Sequence, residues 1–89
     1  MFHKVRSVTP ISDFSLRVEF ENGSSKVYDI KPLFAKWRSF QALADIEGLF
    51  EQVRVDTGGY GISWNDDLDL ACDELYQNGS EIGSGAVVK

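Results

Sequence analysis

Length, composition and charge exclude several classes of protein. The 89 residues are 43% hydrophobic and 12% aromatic, which is enough for one hydrophobic core and one domain. The single cysteine, Cys72, excludes an internal disulfide, a paired-cysteine zinc motif and a redox pair.

The net charge of −5 is unevenly distributed along the chain. Residues 1–38 carry seven Lys or Arg and four Asp or Glu, whereas residues 39–89 carry two and ten. Because phosphate backbones repel an acidic surface, we expect no nucleic-acid partner. An acidic half suits solubility, which is the commoner reason for it, or a basic protein partner. The N-terminus lacks an apolar signal core, and no apolar run approaches the ~18 residues of a membrane span. We therefore expect a cytoplasmic protein without a membrane partner.

The first third of the chain predicts three strands. A short strand is expected over residues 5–8 and should end at Pro10, which has no N–H to donate to a ladder. From residue 14 to residue 20 apolar side chains alternate with polar ones, the period of a strand with one buried face. The apolar positions are Phe14, Leu16, Val18 and Phe20.

Asn22-Gly23 predicts the turn into the third strand. This pair is favoured in two-residue type I′ turns because both of its residues accept a positive φ. Such a loop places Val18 opposite Val27 and Glu19 opposite Lys26, so that apolar groups meet and opposite charges meet.

Residues 29–50 predict short helices. Asp29 can accept hydrogen bonds from the free amides of a first turn, where Pro32 is tolerated. We expect two helical pieces, the second opening at Ser39, with one continuous helix as the alternative. Helical spacing predicts core positions for Leu33, Phe34, Trp37, Phe40 and Leu43. A further turn from Asp45 should direct three more side chains inward, namely Ile46, Leu49 and Phe50.

The acidic half predicts two strands and a helix. We expect one strand over residues 53–56, followed by a turn at Thr57-Gly58-Gly59. A second strand is expected over residues 60–64, in which Tyr60, Ile62 and Trp64 share a face. A polar turn rich in carboxylates follows, and Asp73 and Glu74 favour the start of a helix through its dipole. One of three aspartates is expected to cap that helix, namely Asp66, Asp67 or Asp69.

The C-terminal residues differ in composition from the rest. Gly and Ser become frequent after Asn78 and the hydrophobic periodicity ends. We therefore expect a single α+β domain over residues 1–78 and a flexible tail over residues 79–89.

Several candidate sites fail on their spacing. Asn65, Asp67 and Asp69 are spaced like the first ligands of a calcium loop, but Leu70 and Tyr76 occupy the positions that need Gly and Glu. The glycines of residues 57–61 lack the Lys-Ser/Thr of a P-loop, and Gly61-Ile62-Ser63 lacks the second Gly of a nucleophile elbow.

The two remaining reactive side chains are isolated in the sequence. His3, the only histidine, stands at the N-terminus without a predictable acid or nucleophile beside it. Cys72 fits a small buried apolar residue, and a reactive thiol with a lowered pKa at a helix start is the alternative. We therefore expect no enzyme activity, no catalytic residue and no cofactor. A hydrolase that uses His3 in a Ser-His-Asp triad is the remaining alternative.

Five segments together resemble the bacterial domain of unknown function 2442 over about residues 4–77. They are Leu16-Arg17-Val18-Glu19-Phe20-Glu21-Asn22-Gly23, Val27-Tyr28-Asp29-Ile30-Lys31-Pro32-Leu33, Phe50-Glu51-Gln52-Val53-Arg54-Val55, Ile62-Ser63-Trp64-Asn65-Asp66-Asp67-Leu68-Asp69-Leu70 and Asp73-Glu74-Leu75-Tyr76.

The resemblance carries its own implications. It implies a small α+β sheet domain with no catalytic residues to transfer. It also implies a partner protein, encoded beside another short protein in an arrangement that resembles a toxin–antitoxin pair. Some relatives carry a C-terminal helix-turn-helix, for which we expect no room here before Lys89.

These observations predict an α+β fold with a mainly antiparallel sheet of about five strands and short helices packed on one face. The first functional hypothesis is a non-catalytic protein-binding module, an antitoxin-like monomer or weak homodimer with a basic partner. The alternative is a small-ligand or metal-binding domain that uses the acidic turn from Trp64 to Asp69. The predicted partner surface comprises Tyr60, Trp64, Asp66, Asp67, Asp69 and Tyr76.

Overall fold

The computed structural model of the protein describes residues 3–81 and contains two antiparallel sheets and three short α-helices. The first sheet has the order β1-β2-β3-β7, and the second has the order β4-β5-β6. The strands are β1 (Val5–Ile11), β2 (Ser15–Phe20), β3 (Ser25–Asp29), β4 (Arg54–Val55), β5 (Gly61–Asn65), β6 (Leu68–Ala71) and β7 (Ser80–Glu81). The helices are α1 (Lys31–Lys36), α2 (Ala42–Asp45) and α3 (Cys72–Asn78).

Three short 3-10 segments complete the described chain. They are Arg38–Gln41, Phe50–Gln52 and Thr57–Gly59. The α+β class is therefore confirmed. The expected single sheet of about five strands is corrected to seven strands in two sheets. The helices are not confined to one face of one sheet, because α3 contacts β3 as well as β5 and β6.

The two sheets meet where β1 approaches β4 and β5. Gly59 makes this approach possible, because a Cβ at that position would lie 2.7 Å from the carbonyl oxygen of Val5. The core between the sheets and α3 includes the three alternate apolar side chains of β2, as the sequence predicts. Its fully buried members include Leu16, Val18, Phe20, Ile30, Ile62 and Leu75.

The turn between β2 and β3 differs from the expected type I′ turn. The carbonyl oxygen of Phe20 accepts from the amide of Gly23, and the amide of Phe20 donates to the carbonyl oxygen of Ser24. The loop therefore consists of the three residues 21–23. Only Gly23 has a positive φ, +94°, because Asn22 instead accepts the Ser24 amide on its side chain at 2.9 Å. A loop of three residues that ends in a left-handed glycine is the next most common hairpin connection.

The extra loop residue moves the register by one position. Val18 pairs with Lys26, and Glu19 pairs with Ser25, so both predicted cross-strand pairs are wrong. The buried face of β2 is unaffected, since the pleat of the strand and not its partner decides which side chains point inward.

The first strand and its turn also differ from expectation. β1 continues through Pro10, which is tolerated because β1 lies at the edge of its sheet. Phe14 lies outside β2 in the turn, where it and Asp13 have φ values of 56° and 64°. Its ring packs edge-on against Phe34 and Phe50, which offsets the strain of a left-handed aromatic residue, about 1–2 kcal/mol.

The middle segment forms separate helical pieces, as predicted, with the second beginning at Arg38. Asp29 accepts the amide of Lys31 at 3.0 Å, as predicted, but it lies one residue before Ile30, the N-cap residue of α1, which has no side-chain cap. Two side chains expected in the core are exposed: Trp37 by 52% and Ile46 by 55%. Both have extended backbone at the end of a helix, which turns them away from the apolar face.

The C-terminal region contains two strands that were not predicted. Leu68–Ala71 forms β6, where the sequence predicts an acidic turn, and Asn65 closes the tight turn before it by accepting the Asp67 amide at 2.9 Å. Ser80–Glu81 lies within the predicted tail, residues 79–89, but pairs with β3 as β7. The rest of that tail, residues 82–89, and the first two residues of the predicted domain lie outside the described residues.

The conformation of Gly23 leads to a first prediction. Gly23→Val should lower the free energy of unfolding by about 1–2 kcal/mol, because a β-branched residue at positive φ is strained even with nothing near its Cβ. Urea denaturation measures the loss. Gly23→Asn is the control, and it should lose less because Asn tolerates this region. Equal losses for Val and Asn would contradict a conformational role for this glycine.

The packing of β2 leads to a second prediction. Val18→Ala should cost about 1–3 kcal/mol in urea denaturation, because Val18 is fully buried between the strands and the helix. Val27→Ala on the adjacent strand is the matched control and should cost less, since Val27 is only partly buried. The reverse order would mean that the outer face of this sheet contributes more than the inner one.

Candidate functional site

A break in the helical segment exposes an indole. α1 ends where Trp37 becomes extended, with φ −128° and ψ 114°. The side chain of Gln41 donates to the carbonyl oxygen of Phe34 at 3.0 Å and so replaces a helical amide that the break removes. The chain then turns into the 3-10 segment, which buries Phe40 and leaves Trp37 half in solvent.

Trp37 borders an open cleft of about 400 Å³. One wall is formed by α1 and the 3-10 segment, with Lys36, Trp37 and Phe40. The other is formed by the turn before β6, β6 itself and α3, with Asp67, Asp69 and Glu74. We call this the acidic cleft, because three carboxylates line it against one lysine, and that lysine lies over the Trp37 ring at 5.8 Å.

A second open cleft of about 350 Å³ adjoins the first. The two share Leu33, Lys36 and Glu74, so together they form a groove along α1 that reaches β3 and β7. At this end the hydroxyl of Tyr28 donates to Glu74 at 2.7 Å. Burial of Tyr28, together with this hydrogen bond and the charge of Glu74, raises the pKa of the phenol well above its usual value.

The structure separates the six residues of the predicted partner surface. Asp67 and Asp69 line the acidic cleft together, while Asp66 is exposed in the turn beside it. Tyr60 is 48% exposed at the start of β5, with Lys4 over its ring at 5.1 Å. Tyr76 lies on α3 but outside the lining of the acidic cleft.

Trp64 belongs to the core. It is 2% exposed, its indole N–H donates to the carbonyl oxygen of Phe50 at 3.0 Å, and its ring packs against Phe40 and Phe50. The reason is that β5 is the central strand of its sheet and is buried on both faces. A Trp in this position stabilises the fold and cannot contact a partner.

Tyr76 holds the N-terminal segment and β3 against α3. Its ring stacks on the imidazole of His3, with 3.7 Å between the ring centroids, and packs at right angles to the ring of Phe20, with 5.0 Å between the centroids. The ammonium group of Lys26 lies 4.1 Å from the centroid of the Tyr76 ring. Lys26 also donates to the carbonyl oxygen of Tyr76. These contacts give the Tyr76 side chain a structural role in packing.

The expected cap of the last helix is wrong. The residue that precedes α3 is Ala71, and no side chain caps the first turn. Asp69 instead lies within β6, and Asp66 and Asp67 form the turn before it. The predicted acidic residues of the first turn, Asp73 and Glu74, are confirmed.

The two reactive side chains singled out in the sequence, Cys72 and His3, both lie close to the Asp73 carboxylate. Cys72 is fully buried, and burial together with the charge of Asp73 raises the pKa of its thiol, so the alternative of a lowered pKa is wrong. His3 does have an acidic neighbour, with Nδ1 3.8 Å from the Asp73 carboxylate.

The described residues do not support the metal-binding alternative. Among residues 3–81 no three His, Cys, Asp or Glu side chains lie close enough to hold a metal ion. Asn65 and Asp67 have a structural explanation in the turn that they close.

Sequence reasoning missed Lys36 and Trp37 as site residues and assigned Phe40 to the core alone. The apolar spacing of residues 33–43 is the same whether the helix is continuous or broken, so it gives no sign that Trp37 turns outward. For Glu74 the sequence predicts only a favourable interaction with the helix dipole, because its position beside the cleft depends on the packing of α3.

The fold and the cleft define a small α+β domain with two antiparallel sheets and an open acidic groove. Within residues 3–81 no helix is long and apolar enough to cross a membrane. The chain matches the model of the family described as "Protein of unknown function (DUF2442)" over residues 5–81, and it belongs to this family. Comparisons with curated proteins and with solved structures gave no significant match.

The Tyr28–Glu74 contact leads to a third prediction. The free energy of unfolding should fall as pH rises above about 10, because an unfolded tyrosine ionises there while the folded Tyr28 stays protonated. The slope from one such group is at most about 1.4 kcal/mol per pH unit. Tyr28→Phe removes this contribution, so urea denaturation between pH 8 and 11 should show a flatter decline. Parallel curves for wild type and variant would contradict the burial of this phenol.

Proposed function

We propose that this domain is a non-catalytic protein-binding module that binds a basic segment of a small partner protein in the acidic cleft. The observation that carries the proposal is the half-exposed Trp37 beside three carboxylates. Exposed tryptophans are uncommon on surfaces that contact only water, and they are enriched where proteins bind one another.

The charge of the cleft supports a basic partner. The cleft is lined by three negative charges and one positive charge, namely Asp67, Asp69 and Glu74 against Lys36. The exposed Asp66 adds a further negative charge beside them. A surface of this sign attracts lysine and arginine side chains and speeds their encounter. The absence of a metal ligand set among residues 3–81, and the buried thiol of Cys72, direct the proposal toward binding.

The family resemblance supports an antitoxin-like role. It implies a short protein encoded beside this one, and we propose that this neighbour is the partner. In such a pair the present chain binds the neighbour and blocks its activity.

Co-expression tests the pairing itself. The neighbour should arrest growth when it is expressed alone, and growth should recover when this chain is expressed with it. The two proteins should also co-elute in size-exclusion chromatography. Failure to form a complex would contradict the binding role, whereas a complex without growth arrest would contradict only the antitoxin-like role.

Neutralising the cleft leads to a fourth prediction. Asp67→Asn combined with Asp69→Asn should leave the fold intact but lower the association rate several-fold at low salt, because charges at the rim of an interface act mainly on encounter. The difference should fade above about 0.15 M salt, where charges are screened within ~8 Å.

The matched control removes the same charge elsewhere. Glu47→Gln combined with Glu51→Gln changes two exposed carboxylates that do not line the cleft. Stopped-flow measurement should give this control a rate closer to that of the wild type. Equal slowing by both variants would mean that net charge, and not the cleft, attracts the partner.

A further inference from the structure

β6 is an edge strand of its sheet. It pairs with β5 on one side, and the order β4-β5-β6 leaves its other side without a strand. The amide of Cys72 donates to the carbonyl oxygen of Tyr60 at 2.9 Å, which fixes the alternation of the ladder. Ile62 and Leu70 are the next hydrogen-bonded pair.

In the β6 residues that alternate with these pairs, the backbone N–H groups point to the side of the strand opposite β5. The backbone amides of Asp69 and Ala71 are directed away from β5. The alternation gives neither amide an acceptor in β5, and within residues 3–81 neither donates to a side chain or to a backbone group outside the helices and strands. They form a short row of available donors of the kind that pairs with an added strand.

The two residues that carry these donors also line the acidic cleft. Asp69 and Ala71 line it on the β6 side, and Trp37, Ser39 and Phe40 line it on the other. Asp69 and Ala71 are both exposed, and the cleft that they line has a volume of about 400 Å³, which suits a short extended segment. Carboxylates and an indole stand beside the same opening.

We propose that the acidic cleft accepts an extended, basic peptide segment as a fourth strand of the β4-β5-β6 sheet. The proposal rests on the proposed binding function and specifies its mode. Backbone pairing with Asp69 and Ala71 holds the segment, lysine or arginine side chains meet Asp69 and Glu74, and an apolar side chain packs against Trp37.

Charge decides between this occupant and a second copy of the chain. Pairing of two β6 edges would bring the Asp67 and Asp69 carboxylates of both copies together. Like charges facing each other across paired strands are destabilising. An alternating Lys and Val segment avoids this repulsion and complements the cleft.

A proline at position 71 tests the backbone pairing. Ala71 has φ −73° and ψ 152°, which a proline ring matches, and its N–H is not used within residues 3–81. Ala71→Pro should therefore fold while losing the donor. Ala71→Val is the matched control, because it adds similar bulk to an exposed residue and keeps the N–H.

The probe is a fluorescein-labelled, end-capped hexapeptide of alternating Lys and Val, followed by fluorescence anisotropy at low salt. Wild type and Ala71→Val should bind it within about twofold of each other, and Ala71→Pro at least tenfold more weakly. The same peptide with every amide N-methylated, and an alternating Glu and Val peptide, should not bind. Equal binding by Ala71→Pro and wild type, or equal loss in both variants, would overturn strand addition.

Amide exchange in the wild type gives an answer that needs no variant. On addition of the Lys and Val peptide, exchange at Asp69 and Ala71 should slow more than exchange at exposed Glu47 and Glu51. Unchanged exchange at saturation would overturn the proposal even if Ala71→Pro failed to fold. If the neighbouring protein binds but the peptide does not, strand addition fails and the binding function stands. If neither binds, both fail.

Discussion

The burial of α3 against both sheets is the constraint on which the rest of the structure depends. Cys72 and Leu75 are fully buried on its inner face, and the helix contacts β3 of one sheet and β5 and β6 of the other. Burial of two such side chains contributes on the order of 2–5 kcal/mol. Because one short helix contacts both sheets, its position sets their separation and places β6 beside α1.

Polar contacts fix the outer side of this helix. Tyr28 donates to Glu74, and Lys26 donates to the carbonyl oxygen of Tyr76 while lying over its ring. Both partners come from β3, so the first sheet determines where Glu74 stands in the groove. The charge of the cleft is thus a product of core packing as well as of composition.

The cleft itself arises from two departures from regular structure. The break at Trp37 turns α1 away from the following 3-10 segment, and the tight turn at Asp66 and Asp67 brings β6 back along β5 without a further strand beyond it. Between them the molecule leaves an indole, carboxylates and free backbone donors at one opening. These are the groups on which the proposed binding of a basic segment rests.

The sequence by itself determined the α+β class, the buried face of β2, the separate helical pieces after Asp29, the acidic start of α3 and the family. These features follow from local periodicity, capping and charge, which act between residues near one another in the chain. Only the tertiary structure decided the β2–β3 register, the strand at Leu68–Ala71, and which of the two tryptophans is buried and which is exposed. The physical reason is that these depend on contacts between distant residues. Trp64 is buried because β5 is covered on both faces, and Trp37 is exposed because Gln41 stabilises a break that no spacing reveals. The same holds for the acidic cleft, since Asp69 and Lys36 are far apart in sequence and line one cleft only in the folded chain.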